Sequence, residues 1–522
     1  MKLKNAVAVL CAILLVGLGF FVHAGKNVLA SAPSGKVVKK TSKNPSVSGQ
    51  WSNPIPLGMV PIHAALLSTG QILFWQYLNG QSQYPGTIAI LFNPANNQVT
   101  NIPTAPTADF FCAGNTHLAD GRVLIDGGLT GPLGEGVYGS NYATIFDPAT
   151  GVFTEQQPMN YWRYYPTNTP LPNGTQLVMS GENLDGAIVT QLEVFNPATG
   201  LFTALPISAN LPMPNGAPWE DYPRNFLLGS GNVLATNQNL YAFVFSPTTN
   251  SWSPTQYNFQ NPYRGHDTGV LLPSPAGATN PLEQVMLIGG GENQGPYANT
   301  ETIDFTQSNP QWVTGTPMNV ARHDHNAILL PDGTIVVIGG AGQTGEYDDP
   351  IVYPETYSPV TNTWTLGANG QKANRTYHST ALLLPSGQVI SAGSDSGNIY
   401  QSYAEIYSPP YLFNGAQPTI TSAPPIIGYN QTFTIGTPND AAISSVAFIR
   451  EDATTHADHM DQRMLNLTFS DMGNNTLQIT APANANLAPP GYYMLFIVNS
   501  SGVPSVAAVM RIGSPSATTP PQ

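Results

Sequence analysis

Charge is scarce in this chain, and positive charge is scarcer still. Asp, Glu, Lys and Arg together make up 9% of its 522 residues. From Trp51 onward there are 10 Lys and Arg against 30 Asp and Glu, a balance of −20. That excludes nucleic acid as a partner, because a phosphate backbone needs a basic footprint. Cysteine is nearly absent: Cys11 lies in an apolar N-terminal run, and the other is Cys112. With the N-terminal run removed on export, one thiol remains and no internal disulfide can form. No long stretch carries the apolar period of a helix. No Rossmann glycine fingerprint is present, so neither a flavin nor a nicotinamide cofactor is expected.

What is abundant is punctuation. Fifty Gly and 48 Pro, with Asn and Asp, separate short apolar runs. That pattern reads as all-β. Residues 1–24 read as an export signal: Lys2 and Lys4 precede an apolar run over 6–22, and Val22-His23-Ala24 is an acceptable cleavage site. The protein is therefore expected to be secreted or extracytoplasmic. The run over 6–22 is short for a spanning helix, and an uncleaved anchor is the alternative. Leu10 before Cys11 does not suit lipoprotein processing. Residues 25–50 carry Lys26, Lys36, Lys39, Lys40 and Lys43 and read as a basic flexible linker. A solvated spacer is the favoured role; loose contact with an anionic wall or membrane surface is the other.

Self-similarity organises the rest. An apolar strand, a turn with Gly, and a second apolar strand recur seven times: ALLSTGQILFW (65–75), THLADGRVLIDGG (116–128), TPLPNGTQLVMSGE (169–182), FLLGSGNVLAT (226–236), the longer unit at 269–291, AILLPDGTIVVIGG (327–340) and ALLLPSGQVISAGS (381–394). Each is followed by a second segment predicted to be a hairpin, from LFNPANNQVT (91–100) to IYSPPYLF (406–413). Two hairpins per unit give four strands, one propeller blade. The prediction is a seven-bladed kelch-like β-propeller over 51–414. From about Ala416 the repeat stops, and strand-like runs over 415–513 suit an immunoglobulin-like β-sandwich. Residues 514–522 read as a disordered tail.

Residues just before the inner strands of different blades meet near a propeller's axis. Three such positions are chemically unusual: Cys112 in DFFCAGNTHL, Tyr165 in NYWRYYPTNTPL, and Tyr377-His378 in NRTYHSTALLL. His456, in REDATTHADHMDQRMLNL, lies on a polar turn that could project inward. Two imidazoles and two phenols make an N₂O₂ set, which favours Cu(II) over zinc. A bound divalent cation also stabilises a phenolate at neutral pH. Taken singly, each residue reads equally as a packed ring or a satisfied buried imidazole.

Together the motifs resemble the galactose oxidase/glyoxal oxidase family of copper-radical oxidases, over about residues 48 to 512. Phe111-Cys112-Ala113-Gly114, Arg163-Tyr164-Tyr165-Pro166, Arg375-Thr376-Tyr377-His378-Ser379, Thr455-His456 through Asp461-Gln462-Arg463, and PGYYMLFIVNSSGVPSVA (490–507) carry the likeness, in the family's order. It implies one Cu(II) held by Tyr165, Tyr377, His378 and His456. It also implies a self-derived cofactor, a Cys112–Tyr165 thioether carrying a tyrosyl radical, with Tyr377 as axial ligand and general base. Arg224, Asp324 and His63 are weaker candidates for the substrate side, and His325 aligns with a family histidine. Galactose oxidase covers its cross-linked tyrosine with a tryptophan; here Asn183 stands near that position. It has a phenylalanine in its sugar pocket where Asp324 aligns. These departures lean toward the glyoxal oxidase branch: a monomer acting with O₂ on small aldehydes, as hydrates, or α-hydroxy carbonyls and releasing H₂O₂. A primary-alcohol or galactose-type oxidase is the alternative. A catalytically silent glycan-binding propeller and a kelch scaffold for protein partners are the competing classes, and the scaffold gives no reason for the five residues to occur together.

Overall fold

The computed structural model describes residues 44–76, 89–102, 109–129, 139–214, 219, 221–368, 370–395 and 400–513. The expected export signal, most of the basic linker and the tail over 514–522 lie outside the described residues. The described residues fall in one compact unit. None of their helices is long and apolar enough to cross a membrane.

The chain is all-β. Each of the seven repeat units forms its own antiparallel sheet. In the second, Asp109–His117, Val123–Leu129, Ala143–Asp147 and Val152–Glu155 lie side by side in chain order. The third, fifth and sixth repeat this pattern, and the fourth adds the short strand Tyr257–Asn258. In the second unit the first and second strands are buried along their whole length, whereas the fourth is largely exposed. The apolar runs thus fill the interior and the Pro/Asn/Asp turns face water, as burial of apolar surface requires.

The seventh sheet departs from the expected pattern. Segment 406–413 was expected to form a hairpin, but only Tyr403–Ser408 is a strand, and Pro410–Phe413 is a 3-10 turn. Pro409 and Pro410 lack the N–H groups a fourth strand would need. Gln50–Trp51 fills the place instead, pairing Gln50 with Ser408 and Trp51 with Tyr407. The N-terminal end of the described chain therefore completes the last sheet.

A buried ion pair recurs in four units. Arg163, Arg264, Arg322 and Arg375 precede their first strands and pair with Glu193, Glu301, Glu355 and Glu405 on the third strands. Each arginine also donates to a carbonyl at the end of the second strand: Ser180, Gly289, Gly339 and Gly393. The glycines there are required. Gly127 has φ +80°, and a Cβ on it would lie 2.6 Å from the Arg163 carbonyl. The pair ties the segment before the first strand to its own sheet, and the glycine of the preceding unit lets that segment approach closely.

The C-terminal part forms two sheets. One orders Ile426–Ile427, Ala508–Ile512, Gly491–Asn499, Ile443–Arg450 and Met464–Leu467; the other orders Thr432–Gly436, Thr476–Thr480 and Phe469–Asp471. Ile435, Leu477 and Ile479 from the smaller sheet share a buried cluster with Phe448, Tyr493, Leu495 and Met510 from the larger. Between them, Ala453–Thr455 leaves this part and pairs with His63–Leu66, the first strand of the first repeat unit, with His63 opposite Thr455.

Candidate active site

Four segments deliver side chains to one place, each through a local distortion. At Cys112 the register of the first strand shifts between Asp109 and Ala113, a bulge that turns the side chain, with φ +55°. Tyr165 has φ +63° and His378 φ +62°. His456 and Ala457 are both left-handed and join Ala453–Thr455 to Asp458–His459. Two left-handed central residues are the type I′ geometry that suits a two-residue hairpin. Non-glycine residues in this region carry strain, which clusters at functional sites.

The geometry that results is compact. The Tyr165 and Tyr377 hydroxyls are 2.9 Å apart. The His456 ring lies 5.3 Å from the Tyr165 ring, 5.1 Å from Tyr377 and 4.6 Å from His378. Cys112 Sγ is 3.2 Å from His456 Nε2, and donor atoms of Cys112, His378 and His456 lie within 4.8 Å of one another. The structure thus brings together all five residues expected at the centre. Both imidazoles are oriented from behind. His378 Nδ1 donates to Asp395 at 2.7 Å, and His456 Nδ1 to the Thr455 hydroxyl at 2.5 Å. Each ring is thus fixed through Nδ1, with Nε2 on its opposite edge, the arrangement of metal-bound histidines. Burial pushes the Cys112 thiol and the Tyr165 and Tyr377 phenols well above their usual values, and holds His456 well below its own. Two imidazoles, phenols that gain from a nearby cation, and a buried setting fit a copper ion.

Sequence placed Arg224, Asp324 and His63 on the substrate side; all three are buried, with polar partners inside the protein. His63 Nε2 accepts the Cys112 backbone N–H, and its ring stacks on Trp75 at 4.8 Å. Burial lowers its pKa to about 3, so it stays neutral. Arg224 donates to the Asp267 and Tyr222 carbonyls. Asp324 accepts from His266 and His323. His325, the family-aligned histidine, is buried as well. Asn183 does not lie over Tyr165: its side chain caps its own turn through the Asp185 and Ala187 N–H groups. The ring against Tyr165 is Tyr164, at 4.1 Å, with Tyr222 edge-on at 5.0 Å. Sequence reasoning missed Tyr164, Tyr222, Asp395 and Thr455. Two of them, Tyr164 and Thr455, adjoin singled-out residues; Asp395 and Tyr222 carry no local signal.

Known proteins resemble this chain along most of its length. The family model "Glyoxal oxidase N-terminus" matches residues 86–411, and "Galactose oxidase-like, Early set domain" matches 417–512. A galactose oxidase of Gibberella zeae is 28% identical over 496 residues, covering 89% of this chain and 70% of that one. An aldehyde oxidase of Arabidopsis thaliana is 28% identical over 78% of this chain and 72% of its own length. A solved fungal alcohol oxidase of the AA5 family, in complex with copper, shares the fold at TM-score 0.76 and 24% identity, covering 90% of this chain and 100% of that chain. With its N-terminal model spanning most of the seven sheets and its C-terminal model the two that follow, the chain belongs to the galactose oxidase/glyoxal oxidase family of oxidases.

Proposed function

We propose that this protein is an exported copper-dependent oxidase, a seven-bladed propeller with an immunoglobulin-like C-terminal domain, that oxidises small aldehydes as their hydrates or α-hydroxy carbonyls. O₂ is the acceptor and H₂O₂ the second product. The observation that carries this reading is the 2.9 Å approach of the Tyr165 and Tyr377 hydroxyls, with Cys112, His378 and His456 packed around them.

Tyr165, Tyr377, His378 and His456 would hold the copper, which supplies a one-electron acceptor beside an oxidisable phenol. The residues divide the remaining work. Tyr377, as phenolate, takes the proton of the substrate hydroxyl at its Oη. Tyr165, linked through its ring to Cys112 sulfur and oxidised to a radical, takes hydrogen from the adjacent carbon. One substrate hydroxyl-bearing carbon can reach both, because the two phenol oxygens are in contact. The Tyr164 ring lies against Tyr165, tilted 56° at 4.1 Å. A hydrated aldehyde plus O₂ gives a carboxylic acid and H₂O₂, with the water of hydration supplying the acid's second oxygen. Primary alcohols are the second reading, favoured by the match to a galactose oxidase along most of this chain.

Thioether formation removes two hydrogens. The test is intact mass after copper loading in air, with peroxide followed on methylglyoxal and galactose. Wild type should lose two mass units and release peroxide; Cys112→Ala should do neither. No mass loss and no peroxide from wild type would overturn the oxidase reading.

A further inference from the structure

We propose that His266, Glu292 and Glu346 form a second site, for a divalent cation of the zinc type, beside Tyr377. Three neighbouring loops supply them. His266 lies just before Thr268–Leu271, Glu292 follows Gln284–Ile288 across three glycines, and Glu346 follows Ile335–Ala341. One donor atom from each lies within 4.8 Å of the others, and His266 Nε2 is 3.8 Å from Glu292 Oε2. Ligand bonds of about 2.1 Å at tetrahedral angles put two donors on one ion about 3.4 Å apart. A small closing movement of the half-buried carboxylates completes the set.

The imidazole is oriented toward the site; against burial, which lowers it, Asp324 and the two glutamates raise its pKa to about 9, so a cation entering there displaces the Nε2 proton. Its Nδ1 donates to Asp324 at 2.8 Å, and the other oxygen of that buried carboxylate is held by His323 at 2.7 Å. The ring is therefore fixed with Nε2 toward Glu292. His378 is held the same way by Asp395, so two imidazoles backed by carboxylates stand on either side of Tyr377. A nitrogen and two carboxylates suit a borderline divalent ion, with water completing the shell. All three residues are partly exposed, which leaves a path from solvent. The site is coupled to Tyr377 twice. The His266 and Tyr377 rings lie 5.4 Å apart and 17° from parallel. The Glu346 carbonyl accepts the Tyr377 backbone N–H. An ion here would bear on how Tyr377 is held.

The experiment loads the full-length protein with one equivalent of copper, adds zinc, and counts both metals by native mass and elemental analysis. One zinc beside one copper is expected. His266→Ala, and separately Glu292→Gln with Glu346→Gln, should lose the zinc and keep the copper. Co²⁺ in place of zinc should give a visible band that the same variants lack. The proposal falls if no zinc binds, if it enters only by displacing copper, or if both variants bind it like wild type. Should His266→Ala fail to fold, the isosteric glutamine pair decides alone. Zinc is counted separately from copper, so a failure of the copper reading does not decide this one.

Discussion

Burial sets the protonation of the site's donors before any ion arrives. Tyr165 and Tyr377 are held as phenols, and His456 as a neutral base. A cation reverses the cost for the phenols and leaves the imidazole as it is, so the ion and the phenolates stabilise each other. Orientation comes from residues that never touch the ion. Asp395 is the clearest case, because its bond to His378 Nδ1 fixes the ring. Asp395→Asn is expected to weaken copper affinity about 10–100-fold, the usual effect of removing such a partner. The measurement is competition with a chelator of known affinity. Unchanged affinity with unchanged activity would mean the carboxylate only fills space. Asp395 was not legible in the sequence. It lies 17 residues beyond His378 with no motif of its own, and the contact exists only because the seventh unit's second strand returns beside its first.

At the scale of the element, the Arg–Glu pair repeated in four units ties the segment before the first strand to its own sheet. Arg322 and Glu355 have no exposed side-chain surface, and Glu355 also accepts from the Asn319 and Val320 N–H groups. Removing the charge of one partner leaves the other buried and uncompensated, at a cost of about 3–5 kcal/mol. Glu355→Gln should therefore lower the free energy of unfolding by that amount in urea, with little change in the slope. A loss below about 1 kcal/mol would show that the pair is incidental to the fold. The arginines also place chemistry. Tyr165, His266, Asp324 and Tyr377 each lie two residues beyond one of these arginines. The repeat was legible from strand patterns and glycine spacing. The arginine register was not read, because a charged residue before a strand looks like a surface turn until its partner, 30 to 37 residues on, is seen to be buried beside it.

At the scale of the whole molecule, the chain is closed twice. Gln50–Trp51 completes the seventh sheet, and Ala453–Thr455 reaches back to the first. Around that second contact lies a buried charged network. Asp461 bonds Thr116 and His117 of the second unit, and Arg450 donates to the His117 carbonyl. Glu451 sits in the same place, and burial raises its pKa from 4.5 to about 8. The folded state therefore holds a proton that the unfolded state releases, and between about pH 4.5 and pH 8 stability falls as pH rises. The slope from this group is at most about 1.4 kcal/mol per pH unit. Glu451→Gln should flatten that part of the stability profile and raise the melting temperature more at pH 8 than at pH 5, by calorimetry. An equal change at both pH values would place the titration elsewhere.

The sequence by itself determined that this is an all-β chain of seven strand-rich repeats followed by a different β region, and it named five residues at one centre. Those are local properties: apolar alternation, turn chemistry and short motifs leave their marks within a few residues of where they act. Only the tertiary structure decided that Gln50–Trp51 supplies a strand some 350 residues away, and that Tyr164 rather than Asn183 lies against Tyr165. It alone brought His266, Glu292 and Glu346 together and buried His63, Arg224 and Asp324 among protein partners. Each of these is set by which sheets become neighbours. Neighbouring sheets bury their apolar surface together without regard to distance along the chain.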